Sequence, residues 1–138
     1  AGLLHDIGML VLEQNFAAEY RKVCELLSQG LKQHDAEKQV FGTTHDAVGA
    51  YILGIGGMSE AIVEAVACHH HPSAVSVSGF TPLCAVHVAN VLLSGTPGRN
   101  DQLILEYSEY DEAFLRQSGV MDFIPVWESL AKESHHEK

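Results

Sequence analysis

The sequence predicts an all-α protein. Apolar residues recur at the three- and four-residue spacing of amphipathic helices over most of the chain, and no stretch has the pattern of a β-hairpin or an internal repeat. With 138 residues, of which 46% are hydrophobic, the chain is long enough for one domain with a real core and too short for two comfortable ones.

The first part of the chain predicts two helices followed by a polar stretch. The first helix has an apolar face that Gly8 interrupts, formed by Leu3, Leu4 and Ile7. The second has its stop signal at Gly30. Its apolar residues are Phe16, Tyr20, Val23, Leu26 and Leu27.

Two further helices are predicted in the middle of the chain. Thr44 is the predicted N-cap of one, which ends in the glycine-rich turn 54–57. Ser59 is the predicted N-cap of the next, and Pro72 closes it because the residue before proline leaves the helical region. The turn 54–57 follows no strand and lacks the Lys-Ser/Thr of a phosphate-binding loop, so we interpret it as a helix-to-helix connection.

The last part of the chain starts with a strong helix signal and then weakens. Thr81 and Pro82 supply the cap and first-turn proline of a helix that continues through Leu93. Residues 94–100 are predicted to form a loop. Weaker helices are predicted over residues 103–130, with breaks near Gly119 and Pro125.

We expect a helical core over residues 1–93 and an acidic helical extension over residues 94–138, packed on the same domain. The chain has no initiator Met and opens inside an apolar pattern, so we expect at least one earlier helix upstream. From residue 106 onward the acidic residues outnumber the basic ones, which indicates a solvated face.

The composition argues against several classes of binding partner and cellular compartment. A formal net charge of −10 argues against nucleic acid and anionic membrane surfaces, because both would be repelled. No signal peptide and no apolar run near 18 residues is present, which argues against a membrane protein. Cys24, Cys68 and Cys84 are odd in number and widely spaced, as expected for free thiols in a reducing cytoplasm.

Five ligand-type residues fall at predicted helix ends within apolar segments: His5, Asp6, His45, His69 and His70. Imidazole and carboxylate groups are ligands for divalent metals, and burying either one unpaired is costly. If no metal is bound, Asp6 still needs partners, and the neighbouring imidazoles are the available ones.

Helix geometry limits how these residues can meet. Adjacent residues on a helix project about 100° apart, so His5 and Asp6 reach one metal only near a helix end, which we expect at Gly8. Gly49 lies one turn after His45, where a missing side chain lets another helix approach closely. Among His69, His70 and His71, at most two are expected to point the same way.

The other histidines have simpler interpretations. For His34, His135 and His136 we expect a hydrogen bond to a carbonyl group or plain exposure to solvent. We expect His87 to be structural.

Three segments together resemble the HD superfamily of metal-dependent phosphohydrolases, and most closely its HDOD branch, which is related to the HD-GYP cyclic-di-GMP phosphodiesterases. The segments are Gly-Leu-Leu-His-Asp-Ile-Gly (2–8), Phe-Gly-Thr-Thr-His-Asp-Ala-Val-Gly-Ala-Tyr-Ile-Leu (41–53) and Ala-Val-Ala-Cys-His-His-His-Pro (65–72). Residues 80–92 resemble the following helix of the family, so the resemblance covers roughly residues 1–93.

The resemblance implies a multi-helix bundle that here lacks its first helices, with one or two divalent metal ions. His5 and Asp6 match the family's HD pair, with Asp6 as the bridging ligand. His45, and His69 or His70, match the later His ligands. A further ligand His is expected before Ala1.

The sequence also departs from the active members of the family. Phosphodiesterases carry a phosphate-binding Lys after His-Asp-x-Gly, where this chain has Met9. The Gly-Tyr-Pro element after the paired His is absent, and the Asp expected on the later helix is Asn90, a degenerate metal position. These changes remove a cation for the phosphate and an anion for the metal, two of the electrostatic terms that the hydrolysis needs.

We therefore expect a non-catalytic regulatory output module of a bacterial signal-transduction protein. It would act through a protein partner or an upstream sensor or receiver domain, with the acidic tail and the turn 54–58 as candidate surfaces. The alternative is a metal-dependent phosphohydrolase acting on a nucleotide or cyclic dinucleotide. A third possibility is a site that binds metal or nucleotide as a signal without turnover.

Overall fold

A computed structural model of the chain describes residues 1–94 and 109–136, and all regular structure in these two ranges is helical. The prediction of an all-α fold is confirmed. The helices are α1 (Ile7–Asn15), α2 (Ala17–Ser28), α3 (Gln33–Phe41), α4 (His45–Ile55), α5 (Glu60–Cys68), α6 (Pro82–Ser94), α7 (Glu112–Gln117) and α8 (Ile124–His136), with 3-10 turns at Pro72–Ala74 and Met121–Phe123. The predicted loop after Ser94 and the predicted start of the tail helices at Leu103 lie outside the described residues.

Helix α1 crosses α4 at two glycines. A Cβ atom on Gly8 would lie 1.9 Å from the backbone oxygen of His45, and one on Gly49 would lie 3.2 Å from the backbone nitrogen of Gly8. The expected close approach at Gly49 is thus confirmed. The expected interruption at Gly8 is wrong, because α1 starts at Ile7 and continues through Gly8. This glycine serves the contact between helices and does not end one.

The predicted polar stretch after α2 contains a helix, α3, which pairs with α2. Gly30, at φ 91°, provides the turn between them, as its stop signal predicts. The buried face of α3 is largely polar, with Gln33, His34 and Glu37 all buried. This face is directed at the site described below and not only at an apolar core.

Helices α4, α5 and α6 pack in sequence. Thr44 and Ser59 occupy the predicted N-cap positions of α4 and α5, although neither side chain makes the capping hydrogen bond. The predicted start of α6 at Pro82 is confirmed, with Thr81 Oγ1 accepting a hydrogen bond from the backbone N–H of Cys84 at 3.4 Å.

The main apolar core lies between α6 and the C-terminal helices, where Leu83, Phe114 and Leu115 are almost fully buried. Gly119 (φ 71°) separates α7 from the turn that leads to α8, as predicted. The break predicted near Pro125 corresponds to the boundary at Ile124, where α8 begins, and Pro125 lies in the first turn of α8, where a missing N–H removes no helical hydrogen bond. Within the described ranges, no helix has the length and apolar character needed to cross a membrane.

Candidate metal site

The structure brings together the five residues that the sequence singled out. His5 and Asp6 directly precede α1, His45 is the first residue of α4, and His69 and His70 follow the last residue of α5. One carboxylate oxygen of Asp6 lies 3.1 Å from Nε2 of His5. The other lies 3.8 Å from Nε2 of both His45 and His69. The His-Asp pair therefore lies at the start of α1, and not at a helix end at Gly8 as expected.

All three consecutive histidines after α5 contact this cluster. The ring centroid of His69 lies 5.1 Å from that of His5, and His70 lies 5.1 Å from His45. The exposed His71 lies 5.1 Å from His34. His69 and His70 each supply a potential ligand atom, whereas His71 lies outside these groups, which agrees with the expectation that at most two of the three would point the same way.

The cluster also contains two residues that sequence analysis missed, His34 and Glu37 on α3. His34 was expected to be bound to a carbonyl group or exposed, yet it is 8% exposed and its ring lies 4.7 Å from that of His70. Its Nε2 atom lies 3.4 Å from a carboxylate oxygen of Asp46. The available signal was the three-residue spacing of His34 and Glu37, which puts both on one helical face.

The potential ligands form two neighbouring triads. His5, Asp6 and His69 compose the first triad, and His34, His45 and His70 compose the second triad. Within each triad, one nitrogen or carboxylate oxygen per residue lies within 4.8 Å of the others. Each group is therefore compact enough to surround a single ion.

Hydrogen bonds to backbone carbonyl groups fix the orientation of two imidazoles, those of His5 and His69. Nδ1 of His5 donates to the backbone oxygen of Gly2 at 2.7 Å, and Nδ1 of His69 donates to that of Val66 at 2.8 Å. A carbonyl oxygen can only accept, so the proton belongs to Nδ1 and the lone pair of the neutral ring lies on Nε2. Metal-binding histidines characteristically have this arrangement, in which the second nitrogen donates to a carbonyl or carboxylate group.

Nε2 of His69 provides a direct test of whether a metal fits here. The side chain is fully buried, and among the described residues this atom has no hydrogen-bond partner. The Asp6 carboxylate lies 3.8 Å from this atom. A buried lone pair directed at a carboxylate is unfavourable by itself, and a cation between them would satisfy both groups. The residues present fit a divalent ion.

Protonation equilibria agree with this geometry. Burial lowers the pKa of His69 to about 4, and burial also lowers the pKa of His70, so both rings are neutral near pH 7. Burial acts to raise the pKa of Asp6, but the close contact with His5 and the nearby imidazoles of His45 and His69 outweigh it and lower the pKa. The first triad thus offers the neutral imidazole of His69 and the ionised carboxylate of Asp6.

His45 and Glu37 form a fully buried pair. Nδ1 of His45 donates to the Glu37 carboxylate at 2.8 Å, and the backbone N–H of His45 donates to it at 2.8 Å as well. Glu37 therefore caps α4 in place of Thr44, whose hydroxyl group bonds to Asp46 instead. Burial opposes both charges, but the contact raises the pKa of His45 and lowers that of Glu37.

His87, on α6, contacts the histidine cluster through the backbone of His69. His87 is buried and donates from Nδ1 to the backbone oxygen of His69 at 2.9 Å, while its Nε2 accepts from the backbone N–H of Asp111 at 3.0 Å. Both nitrogens are used, which agrees with the structural role expected for His87.

Asn90 is half-buried near the end of α6, and its role as a degenerate metal position stays a prediction.

Comparison with protein-family models gives a match of residues 1–72 to the HDOD domain. This range contains both triads and ends just after the three consecutive histidines. No curated protein and no solved structure matches the chain.

Proposed function

Because the chain belongs to the HDOD family, whose domains are related to the HD superfamily, we propose that it is a regulatory module of a bacterial signalling protein. In this proposal the histidine cluster binds a divalent metal without catalysing hydrolysis, and the domain acts through contacts with another protein or an attached sensor or receiver domain. The cytoplasm is the proposed compartment, supported by three cysteines that are all free thiols.

One observation carries the choice of regulation over catalysis. At the position where phosphodiesterases of the superfamily have a phosphate-binding Lys, this chain has Met9, half-buried on α1 one turn after the His-Asp pair. A thioether has no positive charge, so it cannot stabilise the charge that develops on a transferred phosphoryl group. Lys32, which directly precedes α3, and Lys38, on α3, have exposed side chains.

The metal would be held by His5, Asp6 and His69, with His45 and His70 beside them. A divalent ion at such a site supplies Lewis-acid chemistry. The protein's own contribution is to orient the imidazoles through Gly2 and Val66 and to keep Asp6 ionised. Asp6 keeps about a third of its side chain exposed (32%), so this edge of the cluster is open to solvent.

The second candidate is a metal-dependent phosphohydrolase acting on a nucleotide or cyclic dinucleotide. Its support is the orientation of the first triad, because Nε2 atoms directed at a partly exposed carboxylate are what a hydrolytic metal site requires. The cluster has retained its ligand-type residues even though the neighbouring cation is absent from position 9.

Hydrolysis assays separate the two candidates. The protein is loaded with Zn²⁺, Mn²⁺ or Mg²⁺ and incubated with cyclic dinucleotides and with nucleoside phosphates, and the products are separated by chromatography. We expect no turnover above the level of the His45→Ala variant. Turnover that is present in the wild type and lost in His45→Ala would overturn the regulatory proposal in favour of the enzyme.

The same assay applied to Met9→Lys tests whether the missing cation at position 9 explains the expected lack of hydrolysis. If the missing cation is what prevents catalysis, this variant will gain turnover that requires added metal. A folded Met9→Lys variant that stays inactive would show that position 9 does not account for the missing activity.

A further inference from the structure

His34, on α3, belongs to the second triad but to none of the segments that resemble the superfamily. Its partners are His45 at the start of α4 and His70 after α5, each with a ring nitrogen within 4.8 Å of the others. We propose that these three imidazoles form a binding site for zinc or a chemically similar ion, with His34 as a ligand. The site is adjacent to the first triad and distinct from it.

The spacing of the nitrogens supports one shared ion. Nε2 of His45 lies 3.2 Å from Nε2 of His70. Two nitrogens bound at 2.0–2.1 Å to one tetrahedral zinc ion are about 3.3 Å apart. Nδ1 of His45 donates to Glu37, which leaves Nε2, the nitrogen that faces His70, as the atom that can bind an ion when the ring is neutral. The two atoms are hydrogen-bonded to each other, and their separation is also close to the one that a shared zinc ion would give them.

The outer partners of the triad are buried and fixed in place. The carboxylate of Glu37, which is fully buried, also accepts a hydrogen bond from Gln33 Nε2 at 3.0 Å. On the other side, Nε2 of His34 lies 3.4 Å from Asp46, which is itself bonded to Thr44. Carboxylate groups behind ligand imidazoles orient the rings and strengthen the metal site.

The donor set indicates the class of ion. The second triad contains three imidazoles and no carboxylate, whereas the first triad contains the carboxylate of Asp6. Imidazole nitrogens favour zinc and other late transition metals, and carboxylate and water ligands favour magnesium and manganese. We therefore expect the second triad to select Zn²⁺ over Mg²⁺.

A zinc ion in this triad would connect three elements of the fold. His34 belongs to α3, and the other two ligands belong to the start of α4 and the end of α5. The ion would tie the α2–α3 pair to the rest of the helices. This inference does not depend on whether the domain hydrolyses a phosphoester, so the two proposals can fail separately.

A competition titration against a chromogenic zinc chelator tests the site. We expect His34→Gln to lower Zn²⁺ affinity by at least about tenfold. Removing a residue that only orients a ligand already costs about 10–100-fold in metal affinity, so removing a ligand should cost no less. The matched control is His87→Gln. That side chain uses both of its nitrogens in hydrogen bonds to backbone groups and lies outside the triad, so its loss should leave the affinity unchanged.

A melting curve in excess chelator verifies that each variant is folded before zinc is added. If His34→Gln does not fold, His70→Gln replaces it, since His70 is only half-buried and follows the end of α5. Wild-type zinc affinity in a folded His34→Gln or His70→Gln variant would overturn the proposal. Equal affinity of the wild type for Zn²⁺ and Mg²⁺ would also overturn it.

Discussion

Replacing Gly8 with alanine should strongly destabilise the domain because α1 and α4 touch there through their backbones. The new Cβ would lie 1.9 Å from the oxygen and 2.8 Å from the carbonyl carbon of His45, and 2.6 Å from the nitrogen of Gly49. Cβ contacts under 3.0 Å essentially never occur, so the helices must separate by about 1 Å or more. No side-chain rotation can relieve a clash with backbone atoms.

The magnitude follows from two opposing effects. Overpacking of this kind costs about 3 kcal/mol, the upper end of the usual range, because the obstacle is backbone. Alanine in place of glycine inside a helix returns about 0.5–1 kcal/mol. We therefore expect Gly8→Ala to lower the free energy of unfolding by about 2 kcal/mol, which for a chain of this size is a fall in Tm of about 8 °C.

Urea denaturation in the presence of chelator measures this effect without any contribution from bound metal. Gly54→Ala is the matched control, because Gly54 is also in a helix but a Cβ there would have no neighbour within 4 Å. It should raise stability by about 0.5 kcal/mol. Gly49→Ala should fall between them, since its closest contacts are at 3.2 Å. A Gly8→Ala variant as stable as Gly54→Ala would refute the close helix contact.

Three further predictions test the surroundings of the site. Glu37→Ala should lower Zn²⁺ affinity about 10–100-fold in a chelator competition titration, because it removes the carboxylate that orients His45; unchanged affinity would exclude this role. His87→Ala should lower the free energy of unfolding, measured in urea, by about 2 kcal/mol or more, because it leaves two backbone groups without a hydrogen-bond partner. It should leave Zn²⁺ affinity unchanged. A loss of affinity would place His87 in the site. Asp111→Ala should cost about 1 kcal/mol at pH 7, because its carboxylate caps α7 by accepting from the N–H of Phe114 at 3.1 Å. Partial burial acts to raise the pKa of Asp111, but hydrogen bonds from Ser73 and from the N–H of Phe114 lower it. The stabilisation is therefore present above about pH 4 and is lost as the pH falls through the lowered value. A wild-type advantage that persists at pH 2 in urea titrations would contradict this.

The fold class and part of the site were predictable because they depend on local patterns. The three- and four-residue apolar spacing predicts the helices, and the Thr81–Pro82 signal predicts the start of α6. His5, Asp6 and His45 stood out because charged or polar ligands in apolar segments need a reason to be there. The structure does bring these residues together.

The missed features depend on contacts between distant parts of the chain. Helix α3 was not predicted because its buried face is polar, and hydrophobic periodicity detects only faces that pack on apolar cores. His34 and Glu37 were missed with it. Gly8 was expected to break a helix, because propensity alone cannot show that the backbone of α4 occupies the place of its side chain.

The most direct test of a metal-binding histidine cluster is the melting temperature in chelator and after Zn²⁺ is added back. An ion that binds only the folded state at 100 times its Kd adds about 2.7 kcal/mol, or about 10 °C in Tm for this chain, and the gain grows with ion concentration. The double variant His45→Ala/His69→Ala, which removes one ligand from each triad, should show no such gain. A wild-type Tm that is the same with chelator and with zinc would contradict the account, and would mean that the imidazoles and Asp6 hold one another as a charged network without metal.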